Sequence, residues 1–270
     1  MNKQQKRRKN GTISRGIEWC DYTWNPVAGC QHGCRWQMPD GTIAECYAET
    51  VAERIAQSTY NHGFEYHYWN PHVLSEPFKL KKPAKIFIDS MSDLMGHWVH
   101  NDEIEQVLNI CRQAKQHVFQ MLTKNAPRLK QFDLPDNLWV GVSAPPTIMF
   151  GKKLSFGQQV RMLQTMLRVL GTVQVPVRWM SIEPLSFDIA PLLVDSNLQW
   201  AVIGAATNGA KMYQPRPEWV HNVLEVLDNQ GTKVFFKGNL DWPASEWRED
   251  YPLEEFPLFT AAQFQVVGAD

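Results

Sequence analysis

Short apolar runs alternating with stretches of helical periodicity constrain the fold of this chain more than any other feature. From Lys85 the series reads Lys85-Ile86-Phe87-Ile88-Asp89, His117-Val118-Phe119-Gln120-Met121-Leu122 and Leu138-Trp139-Val140-Gly141-Val142. It continues with Val177-Arg178-Trp179-Met180-Ser181, Trp200-Ala201-Val202-Ile203-Gly204 and Val234-Phe235-Phe236. Between these runs the spacing predicts helices over 101–116, 127–132, 156–170 and 217–229, with a short one after Asp188. Strands rich in Val, Ile and Phe, spaced by helices, imply βαβ units and a parallel sheet. A first strand before the cysteines, through Trp19 and Cys20, and a helix over 45–58 bring the series to roughly six or seven βα units, close to a full or partial TIM-type barrel. An open doubly wound sheet is the other architecture such a series allows.

A chain of 270 residues fits one α/β domain, taken here as 16–270. The segment from Trp242, rich in Pro, Trp and acids, is expected to form an irregular cover over one end of the barrel. Residues 1–15 carry Lys3, Lys6, Arg7, Arg8, Lys9 and Arg15 with no acid, and read as a disordered basic tail. The formal net charge of −1 argues against a basic glove for nucleic acid. No apolar run is long enough to span a bilayer, and the N-terminus lacks the apolar core of a signal peptide. Five cysteines, an odd number with three clustered, do not form a secreted disulfide framework. The expectation is a cytoplasmic protein with reduced thiols.

The cluster is Cys30, Cys34 and Cys46, in Gly29-Cys30-Gln31-His32-Gly33-Cys34 and, eleven residues later, Cys46-Tyr47-Ala48-Glu49. Three nearby thiols suggest a metal site, yet structural zinc takes four ligands and an ordinary iron–sulfur cluster four cysteines. A four-iron cluster held by three thiolates leaves one iron open to a substrate or cofactor. The competing reading is zinc, with His32 as the fourth ligand. The stretch between Cys34 and Cys46 reads as an inserted loop or hairpin that lets Cys46 return to the other two. Cys20 and Cys111 read as buried small residues.

Chemistry in parallel α/β folds collects at the carboxyl ends of strands. Here those ends carry Asp89, Ser90, Ser92 and Asp93, then Thr123 and Lys124, Ser143, Ser181 and Glu183, the run Gly204 to Gly209, and Lys237. Any one of them also fits a helix cap or a solvated side chain; their recurrence after strand upon strand points to an active site on this face.

The blocks Ile17-Glu18-Trp19, Trp24-Asn25-Pro26, Gly29-Cys30, Cys46-Tyr47-Ala48-Glu49, Ser90-Met91-Ser92-Asp93-Leu94 and Leu122-Thr123-Lys124 follow one another in order. Trp139-Val140-Gly141-Val142-Ser143, Ser181-Ile182-Glu183-Pro184-Leu185 and Phe235-Phe236-Lys237 complete the series. Together they resemble a phage- and prophage-associated group of three-cysteine proteins of unknown function, similar to radical S-adenosylmethionine (SAM) enzymes and distantly to spore photoproduct lyase. The resemblance implies a parallel, partial or full (β/α) barrel of the radical SAM type. It implies a [4Fe-4S] cluster on Cys30, Cys34 and Cys46, and SAM lined by Ser90, Ser92, Asp93, Lys124 and Ser143. Lys124 would pair with the SAM carboxylate, and Asp93 or Ser92 with its ammonium. Glu183 would bind the adenosine ribose or substrate, or else form a salt bridge with Arg178 or Arg216. A reductant such as flavodoxin or ferredoxin would supply the electron. A nucleotide or nucleic-acid substrate is the expected target, with the aromatic run Phe64 to Trp69 available to stack bases. The spacing before Cys46 is longer than in standard radical SAM motifs. A zinc-stabilised nucleic-acid-binding or adaptor protein is the alternative function.

Overall fold

The computed structural model describes residues 1–4, 16–37, 40–208 and 211–253. Seven parallel strands form the main sheet: β1 (Tyr22–Trp24), β2 (Lys85–Ile88), β3 (Val118–Thr123), β4 (Leu138–Ser143), β5 (Arg178–Ile182), β6 (Trp200–Ile203) and β7 (Lys233–Phe236). They lie side by side in chain order, and the two-residue strand Asn2–Lys3 adds antiparallel to β1. A doubly wound sheet would reverse its order part-way. This sheet does not, so that alternative falls. No ladder joins β1 to β7 among the described residues, and a closed barrel is therefore not formed by strand pairing. One hydrogen bond relates the two edges: the Gly238 N–H donates to Glu18 Oε2 at 2.6 Å.

The strand sequences explain why both faces of the sheet are buried. Ile86, Ile88, Phe119, Met121, Val140, Val142, Met180, Ile182, Ala201, Ile203 and Phe236 join the larger core. That core also takes the apolar stripes of α2 (Asn101–Gln113), α3 (Phe156–Leu170), the short α4 (Ala190–Leu193) and α5 (Pro217–Asn229). Along α2 the buried residues Glu103, Ile104, Val107, Leu108 and Cys111 recur at helical spacing. Each well-buried Leu, Ile or Val contributes about 1.5–3 kcal/mol. A Ser155–Gln158 capping box starts α3, and Pro217 starts α5.

The alternate residues face the other side and build a second, aromatic core from Trp19, Phe87, Trp139, Trp179, Trp200 and Phe235. Trp19 meets Trp179 and Trp200 with ring centroids at 5.0 and 5.9 Å. Gly141 on β4 makes room for this layer, because a Cβ there would sit 2.6 Å from the Trp179 ring. Tyr251 stacks on Trp200, the Trp200 Nε1–H donates to the Asp250 carbonyl, and Phe235 bridges Glu249. Residues 249–251 thus pack against this face. The aromatic layer fills this side of the sheet toward the start of the strands, and their carboxyl ends surround a cavity.

Several boundaries differ from the sequence reading. The first strand begins at Tyr22, so Cys20 precedes it; helix α1 spans only Tyr47–Arg54, and the 127–132 helix is a 3-10 turn at Ala126–Gln131. Asn2 and Lys3 pair with Thr23 and Tyr22, so the first residues of the expected tail are ordered against the sheet edge; residues 5–15 lie outside the described residues. No described helix is long and apolar enough to cross a membrane.

Candidate functional site

Cys30 and Cys34 sit on a loop after β1 whose turns require glycine. Gly29 has φ +83°, and a Cβ there would lie 1.8 Å from the Tyr66 carbonyl oxygen. Gly33 has φ +58°. The eleven residues that separate Cys34 from Cys46 fold back as an antiparallel hairpin, Arg35–Gln37 against Ile43–Glu45, with 38 and 39 outside the described residues. Arg35 pairs with Glu45 at its base. Residues opposite one another in such a pair have Cα atoms about 4.5–5.5 Å apart. Cys34 and Cys46 flank that pair and are brought together by it. Cys46 then occupies the N-cap position of α1 without a side-chain capping bond, and a bidentate Arg35–Glu49 ion pair ties hairpin to helix.

All three cysteines are free and line one cavity of about 560 Å³ at the carboxyl ends of the strands. Lys124, Ser143, Ser181, Glu183, Lys237 and Tyr47 line it too. The polar strand ends singled out in the sequence therefore converge. Among the described residues no group of three His, Cys, Asp or Glu side chains stands ready to hold a single metal ion. The His32 Nε2 is engaged by Asp93 at 2.8 Å, the kind of contact that orients metal-bound imidazoles, and its Nδ1 is buried with no hydrogen-bond partner among the described residues.

Three of the polar residues hold loops in place. Ser90 Oγ donates to Asn25 Oδ1 at 3.1 Å, and Ser92 Oγ to the Gly29 carbonyl at 2.6 Å. Asp93 accepts from His32, from the Lys124 N–H at 2.9 Å and from the Met95 N–H at 3.0 Å. The turn after β2 is thereby fastened to the cysteine loop on one side and to the end of β3 on the other. Burial alone would raise the Asp93 carboxyl; the His32 hydrogen bond and charge, with the Lys124 N–H, pull it below the usual range.

Lys124 and Ser143 are placed differently. The Lys124 ammonium lies 5.8 Å from the Trp36 ring and makes no hydrogen bond or ion pair among the described residues. Burial disfavours its charge, but Cys34, Cys46, Asp93 and Cys30 outweigh that and raise its pKa. Burial pushes the Cys34 thiol up to about 11; Lys124 draws it down, while Cys46 and Asp93 push it further up. Cys30 is raised well above the usual thiol value, chiefly by burial, with Cys34, Asp93 and Cys46 adding to it. Cys30 and Cys34 would release protons on meeting a thiophilic cation.

Glu183 does not pair with Arg178 or Arg216. Its Oε2 accepts from Lys237 Nζ at 2.8 Å, while Arg178 turns to Gln199 and Arg216 lies over Trp219. Asn239 belongs to no sequence pattern singled out above, yet its side chain clamps Ala205 by both N–H and carbonyl, at 3.2 and 2.8 Å. Cys20 and Cys111 are buried, as expected of small core residues. Gly209, at the end of the glycine-bearing loop, lies outside the described residues.

A family model described as "Protein of unknown function (DUF5131)" matches residues 14–255. The chain belongs to that family. This DUF5131 member is similar in structure to a cysteine-to-serine mutant of spore photoproduct lyase, with TM-score 0.52 and 11% identity over 85% of this chain and 80% of that one. Spore photoproduct lyase complexed with dinucleoside spore photoproduct gives TM-score 0.49 and 10% identity, over 85% and 80%. A double mutant with bound AdoMet and dinucleoside spore photoproduct gives 0.46 and 10%, over 82% and 65%. At these identities the likeness concerns the fold, a mixed α/β domain with a mostly parallel central sheet. No curated protein sequence matched.

Proposed function

We propose that the protein is a radical SAM enzyme in which Cys30, Cys34 and Cys46 hold a [4Fe-4S] cluster. The observation that carries this reading is the hairpin of residues 35–45, which returns Cys46 beside Cys34 at the mouth of a cavity that Cys30 also lines. The donor set is of the kind such a group takes: three free thiols lining one cavity, with a lysine ammonium beside them that has no hydrogen bond or ion pair among the described residues. Held by Cys30, Cys34 and Cys46 with one iron free of protein ligands, such a cluster would supply the one-electron reduction on which SAM-dependent radical chemistry relies. The electron comes from a partner such as flavodoxin or ferredoxin.

The residues of the chain bind and orient. Lys124 pairs with the SAM carboxylate, a charge-assisted contact supported by an ammonium that makes no hydrogen bond or ion pair among the described residues. Ser143, at the end of β4, offers a hydroxyl with no protein partner among the described residues. Ser90, Ser92 and Asp93 act by holding the cysteine loop against β2 and β3. The aromatic layer below closes the cavity floor and excludes water from that side. The substrate is a nucleotide or nucleic acid by resemblance to the radical SAM relatives, one of which carries a dinucleoside ligand.

The test is anaerobic incubation of the reduced, reconstituted protein with SAM. Formation of 5′-deoxyadenosine supports the proposal; a fully loaded protein that leaves SAM intact contradicts it.

A further inference from the structure

The cavity has two charged poles. One is the cysteine group with Lys124, at the β1–β3 side. The other is the Glu183–Lys237 pair, which follows β5 and β7 on the opposite side of the sheet. Tyr47, whose hydroxyl donates to the Ser90 carbonyl, stands between them and feels both Cys46 and Glu183. Lys124 is influenced by the cysteines and Asp93, whereas Lys237 is influenced by Glu183 and Glu18.

The second pole is firmly built. Glu18 accepts the Gly238 N–H just beyond Lys237, and a Cβ on Gly204 would come within 3.1 Å of the Lys237 side chain. Asn239 clamps the Gly204–Ala205 turn beside it. Yet the pair is incompletely satisfied. Glu183 Oε1 is buried with no hydrogen-bond partner. Lys237 spends one N–H on Glu183, and no other described residue accepts from its ammonium. Buried polar groups left unpaired are costly unless a ligand or ordered water completes them.

The chemistry of the missing partner follows. An anion would face Glu183 with Glu18 close behind it, and a cation would face Lys237. A neutral group with one donor and one acceptor side by side matches a carboxylate and an ammonium 2.8 Å apart. A cis-amide edge, –CO–NH–, presents that pattern in one plane, whereas a trans peptide points its N–H and C=O in opposite directions. Two sources carry such an edge: a nucleobase lactam and a primary carboxamide. Pro184, Ala205 and Ala206 give the cavity small apolar walls here, which suits the flat ring of a base.

We infer that the Glu183–Lys237 pair is a substrate subsite that reads the lactam edge of a nucleobase, Glu183 accepting its N–H and Lys237 donating to its carbonyl. This rests on the radical SAM reading only for its setting, since it deepens the substrate class of the same cavity. It assigns Glu183 to the substrate and leaves SAM to the Lys124 pole.

Equilibrium dialysis of the full-length, reconstituted protein with uridine, 3-methyluridine and propionamide tests it. Uridine is expected to bind, and 3-methyluridine, which lacks the lactam proton and leaves the carboxylate unpaired, about tenfold or more weakly. The double replacement Glu183→Met with Lys237→Met removes both charges together, the least disruptive way to delete a buried pair. It is expected to bring the uridine to 3-methyluridine ratio close to one and to leave SAM binding within about twofold of the parent. Equal affinity of the parent for the two nucleosides, or no nucleoside binding, overturns the inference. Propionamide binding as tightly as uridine overturns the assignment to a base, and loss of SAM binding in the double variant assigns the pair to the cofactor instead. If that variant does not fold, the parent comparison decides. Nucleoside discrimination without 5′-deoxyadenosine formation would sink the radical chemistry and leave the subsite standing; the converse would do the reverse.

Discussion

His32 Nε2 and the Asp93 carboxylate meet at 2.8 Å, joining the cysteine loop to the turn after β2. Asp93 also accepts the Lys124 and Met95 N–H groups, so one buried carboxylate fixes the loop that carries two of the thiols relative to the strand end that carries Lys124. The replacement Asp93→Ala strands three donors and is expected to cost about 3–5 kcal/mol. Urea denaturation of the cluster-free protein measures this, and thiol titration should find Cys30 and Cys34 more reactive. A loss below about 1 kcal/mol would mean the loop is held elsewhere.

Gly29 and Gly33 are both left-handed, but only Gly29 is crowded. An alanine at Gly29 would put its Cβ 1.8 Å from the Tyr66 carbonyl, whereas Gly33 has open space around it. Gly29→Ala is expected to lose most of its iron on anaerobic reconstitution. Gly33→Ala should lose only about 1–2 kcal/mol of stability and load normally. Iron analysis of the two variants separates them; equal loading would contradict the loop geometry.

Gly141 admits the Trp179 ring, which is fully buried in the aromatic layer. Gly141→Ala is expected to destabilise by about 1–3 kcal/mol through overpacking. Trp179→Ala should cost about 3–5 kcal/mol by leaving a cavity. Denaturation midpoints check both, and a stabilised Gly141→Ala would show that the layer can shift.

Burial holds the Asp89 carboxyl well above the usual carboxylate range against the pull of the Val27 N–H, and Asp93 and Glu103 add to the rise. Its contribution to stability is complete below the unfolded pKa of about 3.9 and is lost as pH rises through the folded pKa. Asp89 has φ +53°, a conformation asparagine also tolerates. Asp89→Asn should therefore flatten the stability–pH profile above about pH 4 and be at least as stable at neutral pH. Denaturation curves across that range decide it, and an unchanged slope would locate the titration in another group.

The parallel sheet was legible because each strand is a short Val, Ile or Phe run bounded by helical spacing, as in Lys85–Ile88 and Trp200–Ile203. The return of Cys46 was legible from the turn-like residues between it and Cys34. Barrel closure was not, because pairing between the first and last strands depends on sheet curvature rather than on any local pattern. The partner of Glu183 was equally hidden: Lys237 lies 54 residues away and reaches it only through the register of β5, β6 and β7. Ser90, Ser92 and Asp93 look in sequence like ligand contacts. A hydroxyl or carboxylate at a strand end serves a loop or a ligand with the same chemistry, and the loop partners of these three become visible only once the strands are side by side.

Iron and sulfide analysis after anaerobic reconstitution, on the parent and on four single cysteine variants, decides whether the three thiols hold a cluster. About four irons per parent chain are expected, lost in Cys30→Ala, Cys34→Ala and Cys46→Ala and retained in Cys111→Ala, whose thiol is buried on α2 and does not line the cavity. A colourless zinc protein, or equal iron in all four variants, would contradict the cluster assignment.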